Sequence, residues 1–456
     1  MNNVDFQNLL AVYADAAFFP KLEKLDFMQE GWRLEPEDLN KPQSALMLKG
    51  VVYNEMKGVF SNSLNLFGQA VENNLMPVTY GNVSGGHPDQ IPSLTWEALR
   101  HFHQEYYHPS NASVFTYGNV QLEDSLAYLD SECLGKFTAK DPPPSVPVEP
   151  RWNSPRTIWL TCQDDLTAPD RTRTCFASIS FALCENFALS IVCTLLMDGD
   201  NAPLYRGLIE SGLGLDWAGT IAGMEKTSRT TSFHIGLQGV RKEDLDKVST
   251  ACLDILSSVV KSGFPPERVK AVLHQYEIAV RQDSAQFGLN LILGLAPIVN
   301  HGGDIESCLS VQKLIERFKS DLAAEPGFLQ RLVREYMVEN PHRLLSIMQP
   351  DAKWESAQRK RDQERLEQLT AKITPSDREE IRSYFILINT ATELAEKQKK
   401  EEDLSCLPCL NLIDIPANCR LEPYTEALGM RIYIYIYQIL ICCFFAVTLK
   451  LLLTFG

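Results

Sequence analysis

Lys49-Gly50-Val51-Val52-Tyr53-Asn54-Glu55-Met56-Lys57-Gly58 is the stretch on which the reading of this chain turns. Leu48, Val52, Glu55 and Val59 recur at i, i+4, i+7 and i+11, the spacing of one helical face. Lys41-Pro42, with proline near a first helical position, predicts that this helix opens there and runs on through Val59. Glu55 then stands in the middle of an apolar stripe. A carboxylate in that position is costly unless a cation or hydrogen bonds compensate it. Two compensations are open at this point: a Lys or Arg brought from elsewhere, or a metal ion.

Turn residues follow the block, in Tyr80-Gly81-Asn82 and Ser84-Gly85-Gly86-His87-Pro88. Ser93 is the expected N-cap of a helix that carries Trp96, Leu99, Phe102 and Tyr106 and stops before Pro109. A short strand is expected over 114–117. Asp141-Pro142-Pro143-Pro144, with Pro147 and Pro150, reads as a linker. Beyond it the pattern predicts strands over 175–181 and 231–237. Helices are expected near 187–197, up to Ser211-Gly212, along Leu245, Val248, Cys252, Ile255 and Val259, and after Pro265-Pro266. The expected fold class is α+β. From 354 to 403 the chain turns to Lys, Arg, Glu and Gln, broken at Thr374-Pro375, which predicts a solvated helical hairpin.

The 456 residues, 45% hydrophobic and 22% charged, suffice for two or three ordinary domains. A formal charge of -15 argues against a nucleic-acid surface and, in a peptide-handling protein, favours basic extended peptides. The twelve cysteines are scattered apart from Cys406-x-x-Cys409 and Cys442-Cys443, a pattern that suits a reducing compartment. Residues 1–20 contain no Arg and include Asp5 and Asp15, unlike an Arg-rich targeting presequence. Over 432–449 the only clearly polar residue is Gln438, between Arg431 and Lys450, and that length just reaches across a bilayer. Tyr433-Ile434-Tyr435-Ile436-Tyr437 is β-prone, however. A membrane anchor and a non-native tail both remain open.

Catalytic motifs are missing: neither H-E-x-x-H, H-x-x-E-H nor G-x-S-x-G occurs. His101, Glu105 and His108 fall at i, i+4 and i+7, a spacing that imitates a metal set. The simpler reading is a polar helix face opposite Trp96, Leu99 and Phe102. No catalytic or cofactor-binding residue is assigned.

Several stretches together resemble the presequence protease family, pitrilysin-like zinc peptidases with an inverted metal motif. They are Asp15-Ala16-Ala17-Phe18-Phe19-Pro20, Gln29-Glu30-Gly31-Trp32-Arg33 and the Lys49–Gly58 block, followed by Ser84-Gly85-Gly86, Tyr107-His108-Pro109-Ser110-Asn111-Ala112 and Leu208-Ile209-Glu210-Ser211-Gly212-Leu213-Gly214. The resemblance covers about residues 4–428, in the family's order. It implies similar α+β domains joined by a helical hairpin around a chamber, in a mitochondrial-matrix enzyme that cuts presequences and other short unstructured peptides. It implies Zn2+ held by the histidines of H-x-x-E-H and by a distant glutamate, which Glu55 matches. It also divides the chain into the later portion of a catalytic first domain (1–150), a second domain (151–352), the hairpin (353–428) and a hydrophobic tail of uncertain origin (429–456). The H-x-x-E-H segment is expected ahead of this sequence and the family's second half after it. A chain with one metal ligand is expected to be inactive alone and to expose apolar surface around the Glu55 helix. The alternatives are a non-catalytic peptide- or partner-binding variant and, if 432–449 spans a bilayer, a tail-anchored protein.

Overall fold

A computed structural model describes residues 3–401, except 42, 119, 185–186 and 282–285, together with three strands at 424–427, 430–436 and 449–454. The first part runs α1 (Asn3–Phe18), α2 (Lys24–Asp26), β1 (Arg33–Pro36), β2 (Leu46–Lys49), α3 (Val51–Ser61), α4 (Ser63–Leu75), α5 (Trp96–Tyr106) and α6 (Leu122–Glu132). Then come β3 (Arg156–Cys162), β4 (Cys175–Ala182), α7 (Phe187–Met197), β5 (Asp216–Trp217), β6 (Gly223–Glu225), β7 (Ser232–Val240), α8 (Leu245–Ser262) and α9 (Pro266–Arg281). The elements α10 (Phe287–Asn300), α11 (Ile305–Leu309), α12 (Val311–Ala324), α13 (Phe328–Val333), β8 (Arg343–Pro350), α14 (Trp354–Thr370) and α15 (Pro375–Glu401) follow. Separately, β9 (Tyr424–Ala427), β10 (Met430–Ile436) and β11 (Leu449–Thr454) form an antiparallel sheet in the order β11-β10-β9.

The principal sheet has the order β3-β8-β4-β7-β5, with β6 also on β7. Only the β3–β8 pair is parallel. Side chains alternate across β4, so Cys175, Ala177, Ile179 and Phe181 face the helical layer. There they join the α7 residues Leu189, Val192 and Leu196, the α8 residues Val248, Cys252 and Leu256, and Phe318, Leu332 and Val333 in one core. α7 is apolar nearly all round because it is buried nearly all round.

The opposite face of the sheet is covered by α4. Phe67, Val71 and Leu75 pack there with Trp152, Ile221, Leu344 and Met348. This face also holds a buried polar chain. His234 on β7 shares a hydrogen bond with Ser180 of the paired position on β4 (2.8 Å) and another with Ser232 (2.7 Å). Burial pushes the His234 imidazole down to about 4, against a weaker upward pull from Glu225. The folded chain therefore binds a proton here less readily than the unfolded one. Stability should fall as pH drops from about 6.5 and level off below about 4, a loss on the order of 3 kcal/mol. Melting measured across that window tests this, and His234→Gln should flatten the wild-type dependence. An equal dependence in both proteins would show that His234 is not responsible.

Several expectations need correcting. The Glu55 helix does not open at Lys41, and Pro42 lies outside the described residues. Leu48 belongs to strand β2, paired with Leu34 of β1, and the helix begins only after Gly50. A Cβ at Gly50 would collide with the Gly31 carbonyl oxygen, so the strand-to-helix turn admits no side chain there. Thr95, not Ser93, caps α5, accepting from the Ala98 amide. Residues 114–117 form no strand and pair with no described strand, and Val114, Phe115 and Tyr117 are exposed. Alternation alone makes no strand without a neighbour to hydrogen-bond. In the tail, 430–436 is a strand rather than part of a spanning helix, and 437–448 lies outside the described residues. Among the described residues no helix is long and apolar enough to cross a membrane. Cys406, Cys409, Cys442 and Cys443 also lie outside them, while Cys133, Cys162, Cys175, Cys184, Cys193 and Cys252 are free thiols.

Candidate metal-ligating site

Two faces of α3 do different work. Tyr53 and Met56 point inward, into a small cluster with Ile91, Trp32, Leu48, Val59, Phe60 and Val83. The Ser84-Gly85-Gly86 turn passes close beneath this face. A Cβ on Gly85 would lie 2.6 Å from the Met56 sulfur, so the turn runs close against that side chain. Trp32 is held by donating its indole N–H to the Leu94 carbonyl at 2.9 Å.

The other face carries Val51, Val52 and Glu55, all exposed. The premise of a carboxylate buried in an apolar stripe is thus wrong. Starting the helix at Val51 rather than Lys41 removes Leu48 from the face and leaves Tyr53 and Met56 as its buried positions. Glu55 has no ion pair or hydrogen bond among the described residues.

The edge between these faces is charged and engaged. Lys57 makes an ion pair of 2.9 Å with Asp362 of α14, and its Nζ sits 5.6 Å over the Tyr53 ring. Burial works against the Lys57 charge, but Asp362 and Tyr53 together outweigh it and raise the lysine's pKa, while burial raises that of Tyr53. Arg365, one turn further along α14, pairs with Asp89 at 2.6 Å in the loop that follows Gly86. His87 of the same loop packs edge-on to Phe60, and its Nδ1 accepts from the Asp89 amide. The hairpin expected to be a solvated spacer is therefore fastened to the Glu55 helix on one side. Sequence reasoning missed these contacts, since mixed charge carries no sign of its partner.

Other imidazoles are committed elsewhere. His101 and Glu105 approach to 3.5 Å on the exposed surface of α5. His108 is not on their face, because α5 ends at Tyr106 and its Nδ1 accepts from the Ser110 amide. The Nε2 of His103 bonds the Ala17 carbonyl, and that of His342 bonds the Leu75 carbonyl while its ring stacks on Trp152. Among the described residues no three His, Cys, Asp or Glu are placed to hold a metal ion. Zinc sites take three or four protein ligands, so the residues present do not by themselves fit the ion.

Residues 93–276 match the peptidase M16 inactive domain family, and residues 348–437 match the associated family of M16 peptidases, subfamily C. Both matched stretches fall in M16 peptidase families. The chain is 42% identical over 421 residues to the mitochondrial presequence protease of Xenopus laevis, covering 91% of this chain and 40% of the relative. The corresponding Mus musculus protein is 42% identical over 432 residues, covering 93% of this chain and 41% of the relative. The chain thus spans about two-fifths of the length of the curated relatives it matches. Among solved structures, a protease from Helicobacter pylori superposes with a TM-score of 0.55 at 15% identity, over 77% of this chain and 78% of that one. The periplasmic protease PqqL of Escherichia coli gives 0.53 at 14% identity, over 95% and 44%. At those identities the likeness concerns the fold alone, and it agrees with the expected pitrilysin-like α+β architecture.

Proposed function

We propose that this chain is part of a zinc metalloendopeptidase of the mitochondrial matrix that degrades presequences and other short unstructured peptides. In this reading Glu55 supplies one carboxylate to a metal site whose remaining ligands come from an H-x-x-E-H segment that this sequence does not contain. Residues 1–150 belong to the catalytic domain, 151–352 form a second domain of the chamber, and 353–428 are the connecting hairpin. The observation that carries the reading is the similarity to presequence proteases across more than nine-tenths of the chain. Its most specific block sits on a helix whose glutamate faces outward without a partner among the described residues.

The chain alone is inactive in this reading, because a single carboxylate cannot hold zinc in a catalytic geometry. The purified chain, given zinc and a basic fluorogenic peptide, should show no chelator-sensitive cleavage above that of Glu55→Ala. Chelator-sensitive cleavage that disappears in Glu55→Ala would overturn the assignment of inactivity.

A further inference from the structure

We propose that the charged hairpin acts as a clamp that positions the Glu55 helix, with Asp362 and Arg365 as its positioning residues. The functional weight of this clamp rests on the reading of Glu55 as a metal ligand, but the clamp is a property of the chain that can be tested without metal.

Contacts at intervals along both of its helices fasten the hairpin to the first part of the chain. Asp362 holds Lys57 on α3 itself, and Arg365 holds Asp89 in the loop under α3. On α15, Arg378 donates to the Ser44 carbonyl at 2.9 Å, just ahead of β2. Glu380 lies 3.8 Å from Lys24, whose Nζ also sits 4.9 Å over the Tyr384 ring.

The two α14 contacts differ from ordinary surface pairs in what they bracket. Lys57 lies two residues after Glu55, and Asp89 borders the glycine turn on which Met56 rests. Tyr53 is buried beneath Lys57, so the pair closes over one side of the helix. The opposite side, with Val51, Val52 and Glu55, is exposed. Helix α3 is thus gripped along one side only. A metal-ligand carboxylate must be held within about half an ångström of its working position, and a ligand on an exposed face needs its backbone fixed from behind. Asp362 and Arg365 supply that fixing through Lys57 and Asp89, without touching Glu55.

Hydrogen exchange on the full chain tests the clamp. In the Asp362→Ala/Arg365→Ala double variant, amide exchange in residues 51–61 should rise about five- to tenfold, the loss expected from two half-exposed ion pairs acting together. Exchange in β4, β7 and α7 should stay at the wild-type rate. Reversing one pair, Lys57→Asp with Asp362→Lys, should restore the slow exchange that Asp362→Ala alone loses. Unchanged exchange over 51–61, an equal rise throughout the principal sheet, or no rescue by the reversed pair would each overturn the clamp. Glu55→Ala should leave exchange over 51–61 as in wild type, so this experiment is blind to whether Glu55 meets a metal. The ligand reading stands or falls on cleavage and metal content instead.

Discussion

Glu55→Ala is expected to lower zinc-dependent peptide cleavage by at least about 100-fold in a chimera that joins residues 1–428 of this chain to the remainder of the Mus musculus relative. Loss of an outer group that merely orients a metal ligand costs about 10- to 100-fold, and loss of a ligand itself should cost no less. The fold should not register the change. Glu55 is exposed and has no partner among the described residues, so its removal should shift stability by no more than about 0.5 kcal/mol. Two measurements decide the matter together: kcat/KM on a presequence peptide, and zinc per chain by elemental analysis. Full activity with full zinc content in the variant would remove Glu55 from the metal site.

Phe67→Ala should act in the opposite sense, leaving chemistry aside and costing about 3–5 kcal/mol of stability. Phe67 is wholly buried on α4, with its ring 5.6 Å from that of Phe176, which β4 presents on the face that α4 covers. Val71, Leu75, Trp152, Leu344 and Met348 complete the surround. Leu344 and Met348 on β8, like Phe176 on β4, ride on sheet strands, where hydrogen-bonded backbone cannot shift inward to fill the space of a lost ring. The cavity therefore persists, and its cost adds to that of lost burial. Urea unfolding followed by tryptophan fluorescence should show an earlier midpoint. Leu99→Ala on the exposed side of α5 should change it little. A Phe67→Ala midpoint equal to wild type would mean that α4 does not hold to the sheet.

What could be read from the residues depended on whether the deciding partner was close in sequence. Helix α7 was legible because an unbroken apolar run with no breaker has few other fates, and β4 and β7 announced themselves by β-branched and aromatic runs between turns. β3 and β8 were not seen. They pair in parallel across nearly two hundred residues, so each strand's partner lies far outside any local window, and Trp159 of β3 is exposed. Residues 114–117 had the right pattern and no neighbour. At the candidate site the Asn-Glu-Met-Lys-Gly block singled out Glu55 through resemblance alone, while the physical reason offered for it failed. Leu48 falls outside the helix because position 50 must be glycine, a demand set by the Gly31 carbonyl and invisible in the block itself. The charges of α14 were read as a solvated run for the same reason.

The grip of the hairpin on α3 also sets a schedule for making the protein. Lys57 and Asp362 are 305 residues apart. At about 5–20 residues per second, a ribosome needs roughly 15–60 s after releasing the Glu55 helix to deliver its clamp. Throughout that interval Tyr53, Met56 and the neighbouring glycine turn are held by local packing alone. The early part of the chain therefore reaches its final form late, and a nascent chain halted before residue 362 should be the species that chaperones and proteases find open.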